Sequence, residues 1–190
     1  MSVLREELVR YYRWLRQYGL NDSHSGNGSV RDRDGFWVTP TGACADTLTA
    51  DDLIFCPLDG PCGEGASLDA PLHKKVYQLN QKAGAVFHSH GPYSVAATMR
   101  TKLFTPIDFE GQFYFPDVPV VRIPYSEYVE LAPAQVAKGL ASHKVMVVRG
   151  HGVYAWGPDL NLAYKWTCSL ELSAKTAVIA RQMDHFSAER

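Results

Sequence analysis

The chain has no surplus of either charge: 19 lysines and arginines stand against 20 aspartates and glutamates, for a net charge of -1. That balance removes the broad basic surface of proteins that bind through phosphate contacts, so no nucleic-acid partner is expected. No apolar run approaches the ~20 residues that cross a bilayer. The start, Met1-Ser2-Val3-Leu4-Arg5-Glu6-Glu7, is charged where a secretory leader is apolar. The expectation is a cytoplasmic protein without membrane contact. Cys44, Cys56, Cys62 and Cys168 show no C-x-x-C spacing, which argues against a zinc ribbon or a thioredoxin-like site. They are expected as reduced thiols; Cys56 and Cys62 could bridge in an oxidising compartment, but nothing else in the sequence asks for one. Internal repeats and low-complexity runs are absent too.

What is present is ordinary globular composition, 46% hydrophobic and 21% charged, in a length that suits a single domain over residues 1–190. Leu4, Leu8, Tyr11, Leu15 and Tyr18 recur at steps of three and four and predict an amphipathic helix over roughly 2–18, ended by Gly19. A polar loop follows, Asn21-Asp22-Ser23-His24-Ser25-Gly26-Asn27-Gly28-Ser29. It is either a plain turn or a backbone nest whose N–H groups hold an anion. Val30 and Phe36-Trp37-Val38 predict two strands joined across Asp34-Gly35. Leu53-Ile54-Phe55 predicts another.

Asp69 and Pro71 mark a helix start, with Leu72, Val76 and Leu79 as its buried face. His73 and Tyr77 lie beside that face and are read as core residues. Helices are predicted at 94–100, 132–142 and 159 to about 183, the last with Leu162, Trp166, Leu170, Ser173 and Ala177 on one stripe. Strands are predicted at 145–148 and 153–156. The stretch 104–128 is crowded with aromatics and prolines and resists assignment. Strands and helices mixed in this way make an α/β layered domain, and the short hairpins argue against a purely parallel sheet.

The chain's chemistry gathers around Ala85-Val86-Phe87-His88-Ser89-His90-Gly91. Ala85 to His88 read as a short buried strand, and the pleat puts His88 and His90 on one face. Two imidazoles sharing a face are half of a zinc site, since a catalytic zinc takes three protein ligands and leaves a fourth position open. His151, in Val147-Val148-Arg149-Gly150-His151-Gly152-Val153, is the candidate third ligand. Its flanking glycines carry no side chain to obstruct an approach. The plainer alternative is a buried, backbone-bonded histidine pair and an unrelated turn histidine. Zinc polarises a carbonyl and holds the charge that develops when a neighbouring C–H or C–C bond breaks, and a carboxylate beside it moves the proton. With hydroxyl- and glycine-rich loops able to cradle a phosphate, chemistry on a phosphorylated ketose fits.

Ser25-Gly26-Asn27-Gly28-Ser29-Val30-Arg31, Thr39-Pro40-Thr41-Gly42, Ser67-x-Asp69, His73, Tyr77, His88-Ser89-His90 and His151-Gly152 occur in an order and spacing that resemble the class II aldolase/adducin family over nearly the whole chain. The resemblance implies a three-layer α/β/α fold around a central, largely antiparallel sheet. It also implies a homotetramer with active sites between subunits and a phosphorylated sugar as substrate. Carried over position by position, His88, His90 and His151 would bind Zn2+, and Gly26, Asn27, Thr41, Gly42 and Ser67 would hold the substrate phosphate. Asp69 would be the catalytic acid/base.

Three departures qualify the resemblance. Aldolases of the family carry glutamate where this chain has Asp69, whereas its 4-epimerases carry aspartate. The shorter arm either reaches a metal-bound water or approaches the zinc as a further ligand. Leu68 stands where a second serine is common. The last residues, Asp184-His185-Phe186-Ser187-Ala188-Glu189-Arg190, lack the tail tyrosine that serves a neighbouring aldolase site, so Glu110 and Tyr114 become candidates for the second proton donor. Glu110 also keeps a dehydratase reading open. A non-catalytic adducin-like interaction module is the alternative outside enzymes.

Overall fold

The computed structural model describes residues 2–188. The side chains of Ser2 and of 184–188, and Met1, Glu189 and Arg190 entirely, lie outside the described residues, and the expectation about the C-terminal tail lies there with them.

The strands are β1 (Asn27–Asp32), β2 (Gly35–Val38), β3 (Ile54–Pro57), β4 (Ala85–Ser89), β5 (Leu103–Phe104), β6 (Val118–Val121), β7 (Val145–Val148) and β8 (Gly152–Gly157). They form one eight-stranded sheet in the order β3-β2-β1-β4-β8-β7-β6-β5. Every neighbouring pair is antiparallel except β6 and β7. The helices are α1 (Ser2–Gln17), α2 (Ala70–Leu79), α3 (Pro92–Thr98), α4 (Phe109–Tyr114), α5 (Tyr128–Leu140) and α6 (Leu160–Ala188).

Alternation along the central strands sorts the side chains into two layers. Val86 on β4, Met146 and Val148 on β7 and Tyr154 on β8 join Leu72, Val76 and Tyr77 of α2 and Val136 and Leu140 of α5 in one core. On the opposite face Ala85 and Phe87 pack with Leu8, Tyr12 and Leu15 of α1, and with Leu160 and Ala163 of α6. Further along that face Val145, Val147, Val153 and Ala155 meet Leu170, Ala174 and Ala177 of α6. This is the three-layer α/β/α arrangement with a mostly antiparallel sheet. All five residues of β4 are buried; a fully buried side chain such as Phe87 contributes roughly 1.5–3 kcal/mol.

Three local expectations are corrected. The β1–β2 turn is made by Arg33, at φ +54, and Asp34; Gly35 belongs to β2 opposite Asp32. A Cβ at Gly35 would lie 2.3 Å from Phe55 Cζ and 2.6 Å from the Cys56 carbonyl oxygen, so the glycine is there for packing. Asn27, Gly28 and Ser29 are strand, bonded to β4, because Gly28 admits Phe87 where a Cβ would meet its ring at 2.6 Å. Leu79 closes α2 and is exposed; Leu72 and Val76 alone of the predicted face are buried. The stretch 104–128 resolves into the end of β5, the short α4, β6 and a 3-10 turn at Tyr125–Glu127 leading into α5. No described helix is long and apolar enough to cross a membrane, and all four cysteines are free thiols.

Candidate metal centre and active site

His88 lies near the end of β4, on the face that also carries Tyr154 of β8. His90 follows just past the strand, its backbone N–H donating to the Leu20 carbonyl at 2.8 Å and to Asn21 Oδ1 at 3.0 Å. His151 sits in the tight turn between β7 and β8, where Gly150 adopts φ +72 and the His151 N–H reaches the Val148 carbonyl at 3.0 Å. One candidate ligand atom from each histidine lies within 4.8 Å of the others. His88 Nε2 and His151 Nε2 are 3.3 Å apart.

This donor set suits a metal. His88 Nδ1 is 3.0 Å from the Val153 carbonyl oxygen, so Nδ1 carries the hydrogen and Nε2 keeps its lone pair facing His151. Burial pushes the pKa of all three below the usual histidine value, His90 to about 4 and His88 well below. Neutral imidazoles are the form a metal binds. His90 Nδ1 is buried and has no partner among the described residues. The His151 turn needs room: a Cβ on Gly152 would stand 2.8 Å from His88 Cε1 and 2.9 Å from His90 Cδ2.

Asp69 holds the N-cap position of α2 but makes no side-chain cap bond. Its carboxylate turns into the site instead. Oδ2 accepts from Asn27 Nδ2 at 2.9 Å and from the Tyr154 hydroxyl at 2.9 Å, and Oδ1 accepts from the Tyr128 hydroxyl at 2.8 Å. Oδ2 lies 4.0 Å from His88 Nε2. Burial alone would raise the Asp69 pKa; His88, the Asn27 amide, His73 and the Tyr128 hydroxyl lower it by more, to about 2. The carboxylate is therefore ionised at neutral pH. Burial and that negative charge push both tyrosine hydroxyls up, so they keep their protons.

Of the residues expected to hold a phosphate, Asn27 and Ser67 bond to Asp69 directly. Asn27 opens β1 directly opposite His88, with its Oδ1 buried and unpartnered among the described residues. Gly26 has φ +69, and a Cβ there would run into the Asn21 side chain at 2.3 Å. The Pro40–Ala66 bridge and the Thr41 N–H to Gly65 carbonyl bond at 2.9 Å lay the Thr41-Gly42 turn alongside Ser67. Thr41 and Gly42 are exposed, while Ser67 is buried and accepts from the Asp69 N–H at 3.2 Å.

Glu110 and Tyr114 are placed differently. Both belong to α4, which packs on α6 in the opposite layer from α2 and α5. Glu110 is exposed, and the Tyr114 ring lies against Trp166, centroids 5.3 Å apart. A single chain does not bring them to the histidines. Sequence reasoning missed Tyr128 and Tyr154. Tyr154 lies opposite His88 across the β4–β8 pair, a register with no local sequence mark, and Tyr128 falls at the end of the aromatic and proline-rich stretch. It also missed a cavity of about 310 Å³ beside His151, walled by Leu68, Ile123, Tyr125, Tyr128, Val148 and Arg149.

The sequence matches the family described as Class II Aldolase and Adducin N-terminal domain over residues 6–178. The chain belongs to that family. The L-fuculose-1-phosphate aldolase of Thermus thermophilus has a solved structure that superposes with a TM-score of 0.90 at 33% identity, covering 96% of this chain and 97% of that one. An L-fuculose phosphate aldolase of Methanocaldococcus jannaschii is 29% identical over 178 residues, 92% of this chain and 96% of the relative. An L-ribulose-5-phosphate 4-epimerase of Salmonella paratyphi C is 28% identical over 198 residues, 95% of this chain and 86% of the relative. Class II aldolases depend on a metal, and His88, His90 and His151 are the group here that could bind one.

Proposed function

We propose that this protein is a zinc-dependent aldolase that reversibly cleaves a ketose 1-phosphate into dihydroxyacetone phosphate and an aldehyde. The observation that carries the reading is the set of three histidines at ligand spacing, with the Asp69 carboxylate 4.0 Å from one of them. His88, His90 and His151 would hold Zn2+, which supplies Lewis-acid polarisation of the substrate carbonyl. Asp69 moves the proton at the carbon between carbonyl and scissile bond. Gly26, Asn27, Thr41, Gly42 and Ser67 bind the phosphate, the exposed Thr41-Gly42 turn admitting it and the Asn27 side chain orienting it beside Asp69. The cavity walled by Leu68 and Tyr125 receives the aldehyde portion.

The second proton donor is Glu110 or Tyr114 of a neighbouring subunit. Both lie on the far layer of their own chain, so the proposal includes a homotetramer with sites shared between subunits. The phosphorylated substrate and the metabolic relatives fit a single-domain cytoplasmic enzyme.

A sugar-phosphate 4-epimerase or dehydratase on the same site is the second reading, favoured by Asp69 being one carbon shorter than glutamate. Incubation of the purified protein with a panel of ketose phosphates, assayed for dihydroxyacetone phosphate, separates the readings. Epimer formation or water loss without triose phosphate would sink the aldolase. Absence of stoichiometric divalent metal, with no activity on adding zinc, would favour an adducin-like interaction module.

A further inference from the structure

His90 stands outside the sheet that carries His88, since the β4–β8 pairing stops at Ser89 opposite Val153. Its own N–H is held by Leu20 and Asn21. Beyond it the chain runs through Gly91 straight into α3, so the direction in which the backbone leaves His90 depends on where that helix sits. With 7 residues and no side-chain cap of its own, α3 is far below the ~12–15 residues at which a helix holds together alone. It needs an anchor from another element.

That anchor comes from α6. Glu171, a half-buried residue that the proposed reaction does not use, accepts from the Tyr93 N–H on Oε1 at 2.9 Å, and on Oε2 from the Ser94 N–H at 2.8 Å and the Ser94 hydroxyl at 2.7 Å. The first N–H groups of a helix have no partner within it, and a carboxylate placed there gains from both the helix dipole and charge-assisted bonding. Gly91 makes the approach possible, because a Cβ on it would lie 2.3 Å from Glu171 Oε2. The base is firm: Leu170 and Ala174 of α6 are buried against β7 and β8.

At its other end α3 meets the turn of the third histidine. The Thr101 carbonyl, just past the helix, accepts from Arg149 Nη2 at 2.6 Å. Met99 Sδ stands 3.7 Å from where a Cβ on Gly150 would lie. Arg149 and Gly150 are the two residues before His151, so α3 runs from one candidate ligand's segment to another's.

Granting that the histidines bind a metal, on which the proposed function also rests, we propose that Glu171 is a positioning residue for that centre. It pins the start of α3, fixes through Gly91 the backbone that presents His90, and steadies the His151 turn through the far end of the helix. Glu171 itself touches no reacting group. A cap that served the helix alone would cost stability when removed and leave the ligands where they are.

Co2+ titration beside urea denaturation separates the two roles, because the visible absorption of the bound ion follows the arrangement of its ligands. Glu171→Ala is expected to bind Co2+ about 10–100-fold more weakly, the order of effect of losing support behind a metal ligand, with an altered spectrum. Glu171→Gln keeps one acceptor oxygen but sets an amide N–H against a helix N–H, and should show a smaller loss in the same direction. Ser94→Ala is the control: it removes the hydroxyl bond, leaves both backbone bonds, and should lower stability with Co2+ affinity and spectrum as in the wild type.

A folded Glu171→Ala or Glu171→Gln protein with wild-type affinity and spectrum would overturn the inference. So would a Ser94→Ala protein that loses as much affinity as Glu171→Ala, because binding would then follow stability alone. If Glu171→Ala does not fold by circular dichroism, Glu171→Gln decides. A wild-type protein that binds no Co2+ overturns the metal centre and this inference with it, whereas unchanged binding in folded Glu171 variants overturns the inference alone.

Discussion

The Tyr154 ring lies face to face on the His88 imidazole, with centroids 4.1 Å apart and planes 2° apart. The His88 Nδ1–H bond to the Val153 carbonyl fixes one edge of the same ring, so stacking and hydrogen bond together leave Nε2 one direction to face. Removing the stacked ring by Tyr154→Ala should weaken Co2+ or Zn2+ binding by about 10–100-fold. Tyr154→Phe keeps the ring and should not weaken it. Competition titration with a chelating dye measures both, and equal affinities in the Ala and Phe variants would disprove the role of stacking.

His90→Ala should remove stoichiometric metal while the protein stays folded. The sheet that carries the site is built from the buried apolar residues of β4, β7 and β8, none of which needs an ion to pack. Metal content by elemental analysis and the far-ultraviolet circular-dichroism signal are the paired readouts. Loss of the folded signal would mean that the scaffold depends on its metal.

Gly152→Ala should damage both stability and metal binding. The new methyl would sit 2.3 Å from the Ser89 carbonyl oxygen and under 3 Å from His88 and His90 atoms. Overpacking of this kind costs roughly 1–3 kcal/mol, measurable by urea denaturation. Gly150→Ala places a side chain at φ +72, which costs about 1–2 kcal/mol in the backbone, with only the Met99 side chain within 4 Å of the new atom.

Asp69→Asn should lower kcat by about 10²–10⁴, the range of general acid–base contributions, and leave KM and metal content close to wild type. Amide nitrogen in place of one oxygen removes the base without removing the arm. Steady-state kinetics beside metal analysis on the same preparation tests this; a kcat within a few-fold of wild type would exclude Asp69 as the proton carrier.

Stability of the metal-free protein should fall as pH falls from about 6.5 to about 4. His73 is fully buried and its pKa is lowered to about 4, burial outweighing the opposing pull of Asp69. Between that value and the unfolded ~6.5, the unfolded chain takes up a proton that the folded one refuses. The stabilising difference is thus complete above ~6.5 and declines below it, by on the order of 3 kcal/mol for such a shift. Asp69, held at about 2, extends the loss in the same direction below pH ~4. Thermal melts against pH give the slope, and His73→Gln should reduce it between pH 4 and 6.5, leaving the part that His88, His90 and His151 contribute in the same direction.

The readable part of this protein was the part encoded by local period. His88 lies on a strand whose every residue is buried, and the apolar run before it announces that strand. The His151 turn is marked by its two glycines, and the layered α/β architecture follows from alternating strand and helix patterns. Tyr154 could not be found this way, because its partnership with His88 depends on the β4–β8 register, set between segments more than sixty positions apart. Local pattern marks Asp69 as an N-cap ahead of Pro71, and only the family resemblance names it the acid/base; that its side chain makes no cap bond and turns to Asn27 and two tyrosines is a tertiary fact. In 104–128 a strand of four residues containing Pro119 is too short and too broken to show a period. Glu110 and Tyr114 lie on the short α4, packed on α6 in the opposite layer from α2 and α5, a placement that no local period marks.

The carboxylate at the centre of the site is gripped by groups from the first residue of α5 and the middle of β8, and it hangs from the start of α2. These elements share one apolar layer, in which α2 and α5 are packed against each other. Chemistry and core are therefore mechanically continuous. A methyl-sized void opened beneath α5, as by Val136→Ala, is far from any reacting atom but changes how α5 seats on α2, and with it where Tyr128 presents its hydroxyl. In this fold the interior works as the gauge block against which the active site is set.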